Sequence, residues 1–219
     1  MRKSLTFLSA TLVVAFVVVP GWVAGRGADG SLRPAFVAWW RSGSGALSPE
    51  LTRIVDHWFR YHVVKGLIAA LLLVVLIVLG TRVAGWALVP VVALGSLALV
   101  SVMANLQGAV APFASLFPLL SADDLRGPAA ALRAGTRSPA LRVMIDDYTA
   151  YHAAMVGAAG LVAVALVVAV VVLVRRRAPW PAVAVAALVA TGALVLTVAN
   201  VTTTLDPEPG LLGLLDGGW

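Results

Sequence analysis

The chain has 219 residues, 61% of them apolar and only 12% charged, with a mean hydropathy of +0.97. So little polar surface cannot cover a water-soluble globule, and the composition identifies an integral membrane protein. The absence of cysteine excludes disulfides, thiol catalysis and cysteine-ligated metal or iron–sulfur sites, and a net charge of +6 points to nucleic acid only until the basic residues are located.

At the amino end, MRKSLTFLSATLVVAFVVVPGWVAG joins a basic start to an apolar run over 5–24 that is interrupted by Pro20-Gly21. A cleaved secretory signal peptide has the same features. Here Trp22-Val23-Ala24-Gly25 is a poor small-x-small cleavage site and the run is long, so residues 1–27 read as a signal anchor and first transmembrane helix. Four more stretches, 63–80, 84–104, 153–174 and 180–199, approach or exceed the roughly 20 apolar residues that cross a hydrocarbon core of about 30 Å. TRVAG and RRRAPWP are the connections within each pair, short enough to make two antiparallel hairpins.

Basic residues in short connections orient the spans. Arg2 and Lys3, Arg82, and the run Arg175, Arg176 and Arg177 are six cations with no acidic neighbour, whereas the opposite side, counting Lys65 at the start of the second span, holds ten basic and ten acidic residues. This is a positive-inside pattern. It predicts a multi-pass protein of the bacterial plasma membrane with its amino end cytoplasmic and its carboxyl end outside, and it accounts for the net charge without a nucleic-acid partner.

The outer segments contain an internal similarity. SPELTRIVDHWFRYH (48–62) and SPALRVMIDDYTAYH (138–152) are identical at six of fifteen positions, among them Tyr61/Tyr151 and His62/His152. ADGSLR (28–33) resembles ADDLR (122–126), and Arg41-Ser42-Gly43 resembles Arg133-Ala134-Gly135. Each hairpin ends in Ala-Asn with a proline seven residues on: Asn105 with Pro112, Asn200 with Pro207. Leu116, Leu119 and Leu120 then match Leu211, Leu214 and Leu215. The reading is an all-α integral membrane protein of five transmembrane helices: the anchor, unit 1 (28–120) and unit 2 (121–219), two parallel-repeated helical hairpins expected to be related by a two-fold axis along the membrane normal.

Ser48 and Ser138 are N-cap candidates with Pro49 and Pro139 at the first helical position, and no breaker follows until Gly80 in unit 1. One helix over 49–80 would be roughly 48 Å long, exceeding the bilayer core, so its first turns should stand at the interface. Trp58, Phe59 and Tyr61, with Trp39-Trp40 and Trp219, are expected to form an aromatic belt there.

The candidate site residues lie in this outer layer. His62 and His152, each preceded by a tyrosine (Tyr61, Tyr151), would bind haem or a metal if they converged across the symmetry axis; otherwise each Tyr-His marks the water boundary of its helix. Asn105 and Asn200 read first as helix terminators, and otherwise as amides that cross-bond to a neighbour or touch a ligand. The pairs Asp123-Asp124 and Asp146-Asp147 read as solvated charges. Between their ends the spans offer only hydroxyls as polar side chains, Thr6, Ser9 and Thr11 in the first and Ser96, Ser101, Thr191 and Thr197 in the later ones, which disfavours an ion-coupled transporter.

WFRYHVVKGLIAALLL (58–73) resembles the aromatic-x-Arg-aromatic-His-x-x-basic stretch that opens a membrane helix in anthrone-oxygenase-like small membrane proteins, which also carry an Asn near the outer end of a helix, as Asn105 and Asn200 do here. The resemblance implies an oxygenase activity. Unit 2 departs from it, with Met155 in the basic position. More broadly the chain looks like Ala/Val/Leu-rich multi-pass proteins of GC-rich bacteria. With no catalytic fingerprint in the sequence, the expected function is that of a non-enzymatic envelope protein without cofactor, in contact with the lipid bilayer and with a membrane or exported protein partner. The alternative is a small membrane oxidoreductase or ligand-binding protein built on the His/Tyr pairs.

Overall fold

Ser48 and Ser138 start the two longest helices in the same way. In the computed structural model, which describes residues 2–24, 32–177 and 179–218, Ser48 (φ −65°, ψ 155°) accepts from the Leu51 N–H and Ser138 (φ −65°, ψ 153°) from the Leu141 N–H. Proline follows each cap at a position where its missing donor costs nothing. From these caps α3 (Pro49–Gly80) and α6 (Pro139–Arg175) run unbroken, α3 over the range expected from the sequence. With α1 (Arg2–Ala24), α4 (Leu88–Val110) and α7 (Trp180–Leu205), they are five helices long and apolar enough to cross a membrane. Three short helices complete the set, α2 (Leu32–Ser42), α5 (Ala122–Arg133) and α8 (Pro207–Leu215), together with 3-10 turns at Gly85–Ala87 and Ala114–Leu119. The described residues contain no strand.

The long helices pack in a row. α1 lies on α3, α3 pairs with α4, α4 packs on α6, and α6 pairs with α7. A two-fold axis between the hairpins would require the α4–α6 contact to be matched by an equal contact of α7 on α3, and no comparable packing is present among the described residues. The expected two-fold relation therefore gives way to a head-to-tail one. In this order α4 flanks α6 as α1 flanks α3, so each cap-initiated helix is held between two neighbours.

Along the spans most apolar side chains face outward. Leu67, Leu97, Leu161 and Leu188 are between 64% and 75% exposed, as side chains directed at lipid would be. Besides a smaller core of Leu12, Leu72, Leu76 and Ala98 that joins α1, α3 and α4 within the spans, the larger body of enclosed packing lies in a cap at the end of the bundle opposite the Arg82 and Arg175–Arg177 turns. There α2, α5, α8, the Ala114–Leu119 turn and the first turns of α3 and α6 share one core. Its centre is aromatic: Trp39 and Phe113 meet edge to face at 5.2 Å, and Phe113 and Phe117 at 5.0 Å, a geometry that adds to the burial of large rings. Both sequence units contribute, and the matched leucines Leu116/Leu211 and Leu120/Leu215 are all buried in it.

The turns leading into α3 and α6 also correspond. Gly43 and Gly135 both adopt φ +65°, and their N–H groups donate back to the Trp40 and Leu132 carbonyls, closing α2 and α5. Of the ADGSLR stretch, residues 28–31 lie outside the described residues.

The aromatic belt needs correction. Trp39 is 1% exposed, and its Nε1–H donates to the Ala46 carbonyl at 3.0 Å, so it is a core residue of the cap. Trp40 is half-buried against Gly127, and Trp219 lies outside the described residues. Exposed indoles sit elsewhere: Trp22 at the cap-side end of α1, and Trp86 and Trp180 at the starts of the two returning segments, beside the arginine turns. These are positions suited to the two lipid–water boundaries.

Candidate functional site

Asn105 and Asn200 do not terminate helices. Each lies five residues before the end of its helix and is buried, so its amide must find partners inside the protein. Asn105 Nδ2 donates to the Ser101 carbonyl one turn back (2.7 Å), and Asn200 Nδ2 to the Leu196 carbonyl (2.8 Å). This fixes the amide orientation and presents each Oδ1 to a histidine of the same hairpin, at 3.0 Å from His62 Nδ1 and 2.8 Å from His152 Nδ1. An oxygen can only accept, so Nδ1 carries the proton in both rings and Nε2 is left with a lone pair. The sequence puts these four residues in the outer layer; their pairing across 43 and 48 residues appears only in the structure.

The two imidazoles differ at Nε2. The His62 ring lies against Gly108, where a Cβ would stand 2.5 Å from Nε2, Cε1 and Cδ2. Trp58 stacks on Tyr61 (5.2 Å between ring centres, 6° between planes) and meets His62 edge-on at 5.0 Å, closing the other side. Nε2 of His62 is thereby buried without a partner. The groove at Gly108 admits the ring and nothing larger. In unit 2 the residue three past the asparagine is Thr203, and Nε2 of His152 is not enclosed in this way.

Haem or metal held between His62 and His152 would need both Nε2 atoms. His62 does not fit that role, because its Nε2 faces packed protein, and each imidazole is tied by Nδ1 to its own hairpin. Neither ring has the other among its aromatic neighbours. No cluster of three or more His, Asp or Glu of metal-binding geometry occurs among the described residues.

Tyr61 and Tyr151 also serve different ends. Tyr61 Oη accepts from Lys65 Nζ (2.8 Å), and the ammonium lies 5.0 Å from the centre of the Phe16 ring, tying α3 to α1. His57 makes the same connection from another face: its Nδ1 is 2.9 Å from the Ala24 carbonyl at the end of α1, where a ring N–H donor satisfies a terminal acceptor. Tyr151 instead accepts through its main-chain carbonyl from Gln107 Nε2 (3.1 Å), a buried link from α4 to α6.

Asp124 and Asp147 are structural carboxylates. Asp147 Oδ2 accepts from the Ala114 N–H (2.6 Å) and so fixes the turn at Ala114–Leu119 to α6. Asp124 forms a capping box with Ser121 at the start of α5 and an ion pair with Arg33 of α2 at 3.1 Å. The Ser121 hydroxyl hydrogen bond, then its main-chain N–H and the Arg33 charge, hold the Asp124 carboxyl below its ordinary value against the opposing effect of burial. Asp123 is exposed, pairing with Arg126 at 2.5 Å, as a solvated charge does.

Comparison of the chain with family models, with curated proteins and with solved structures finds no match. The resemblance to anthrone-oxygenase-like proteins thus rests on residues 58–73 and the two asparagines alone.

Proposed function

We propose that the chain is a non-enzymatic multi-pass protein of the cell envelope, an accessory component that works through its cap, with the amino end cytoplasmic and the cap outside. One observation carries this reading: the larger, aromatic-centred core lies in the cap, whereas most apolar side chains of the spans turn outward. The two similar units both contribute to this cap, and in each a matched His–Asn pair ties the two helices of the hairpin together, as a duplicated hairpin would. A cap that exposes charged positions such as Arg126 and Arg142, carried on apolar spans, suits docking of a membrane or exported protein beside the lipid surface.

In-cell photo-crosslinking tests it. A photoreactive residue at exposed cap positions Arg126 and Arg142 should yield adducts with an envelope protein, and one at Arg176 in the basic turn should not. Adducts from Arg176 alone would overturn the reading. So would a Soret band or stoichiometric metal in the purified protein.

A further inference from the structure

Three polar atoms of unit 2 have no hydrogen-bond partner among the described residues, and the residues that carry them line one cavity. Tyr148, Tyr151 and His152 line it with Ser115, Gly210 and Leu214, bordering a partly open pocket of about 220 Å³ where α6, α8 and the Ala114–Leu119 turn meet. His152 gives its Nδ1–H to Asn200, whose amide is itself fixed by the Leu196 carbonyl, so Nε2 is a preset acceptor. Among the described residues neither this Nε2 nor Oη of Tyr148 or Tyr151 has a hydrogen-bond partner, and none of the three is sealed as His62 Nε2 is. Polar atoms that face a pocket and are left unpaired by the protein are free to bond what occupies it.

The chemistry of the lining restricts the ligand. No lining residue is an acid, a lysine or an arginine, and the adjacent Asp147 carboxylate is committed to the Ala114 N–H that forms part of the wall. An ion would find no counter-charge. A fixed acceptor and two phenolic hydroxyls instead match a neutral group that both donates and accepts. As for size, a cavity of roughly 150 Å³ holds benzene, so this one admits a single ring with a substituent.

We propose that this cavity is a binding site for a small neutral molecule bearing a hydroxyl on a one-ring hydrocarbon body, the hydroxyl donating to His152 Nε2 and accepting from a tyrosine Oη–H. The site belongs to unit 2 alone, because in unit 1 Gly108 lets the ring sink until its Nε2 is closed off. It requires no reaction, and it is independent of which partner the cap docks.

The test uses the full chain in nanodiscs with nitrogen-15 histidine, titrated with 4-fluorophenol and with 4-fluoroanisole, which has the same ring but no donor. The phenol should move the His152 Nε2 resonance saturably and leave that of His62 in place, while the anisole should bind at least about tenfold more weakly. Tyr148→Phe and Tyr151→Phe, which remove only a hydroxyl, should weaken phenol binding about three- to tenfold where that hydroxyl donates, the worth of one hydrogen bond. His152→Asn, which retains an N–H for Asn200 but has no second ring nitrogen, should abolish it. Equal response of both histidines, equal binding of phenol and anisole, or no saturable shift at His152 would each overturn the proposal; should His152→Asn not fold, the two tyrosine variants decide it.

Discussion

Gly108 is tightly constrained by a neighbour, since a ring occupies the space a side chain would need. Gly108→Ala should lower stability by roughly 1–3 kcal/mol, the usual cost of overpacking. In a His62→Ala background most of that cost should vanish, because the two changes act on one contact. Thermal unfolding of the single and double variants in detergent measures the coupling, and simple additivity would disprove the contact. Asn105→Leu acts differently. It leaves a partly buried Nδ1–H without an acceptor, which should cost roughly 1–3 kcal/mol, whereas replacing His62 and Asn105 together by leucine should cost less than the single change. The sequence marks Asn105 and Asn200 as special through their matched prolines, but cannot show that each faces a histidine more than forty residues away. That depends on how the two helices of a hairpin are rotated against each other. Gly108, three residues past Asn105, was the available clue: a glycine one turn from a buried amide on the inner face of a helix.

Among the elements, the caps of α3 and α6 were legible to the residue because capping is local chemistry. Ser48→Ala and Ser138→Ala should each cost about 0.5–2 kcal/mol, and by similar amounts, since the two caps have the same geometry. The cap helices α2, α5 and α8 were not legible as a unit. They are too short to register as spans, and their apolar faces acquire meaning only when the Trp39, Phe113 and Phe117 rings, drawn from distant segments, come together. The α2–α5 contact also carries a pH dependence. Because the Asp124 carboxyl is held below its ordinary value, its contribution is complete above roughly pH 4 and is lost as the pH falls through the lowered folded value. Asp124→Asn should therefore unfold earlier than the parent protein at neutral pH, and the gap between their midpoints should close in acid. A gap that stayed constant with pH would show that the carboxylate charge contributes nothing.

At the scale of the molecule, composition and length were enough for five all-α spans, because crossing hydrocarbon is a constraint on every residue of a helix. The arrangement of those spans was not. The similarity of two segments says that they fold alike, but it leaves open whether the units meet face to face or in succession, and the row α1–α3–α4–α6–α7 is decided by which side chains of α4 and α6 fit each other. The proposed placing of the cap outside follows from the direction in which this row is threaded through the membrane. The chain has no cysteine, so single cysteines report without background. With cysteine introduced at Ser44, at Thr136 and at Gly218 in the cap, and at Thr81 in the basic turn, an impermeant thiol reagent applied to intact cells should label the first three and spare the fourth. Labelling of Thr81→Cys with protection of the other three would place the cap inside and contradict the account.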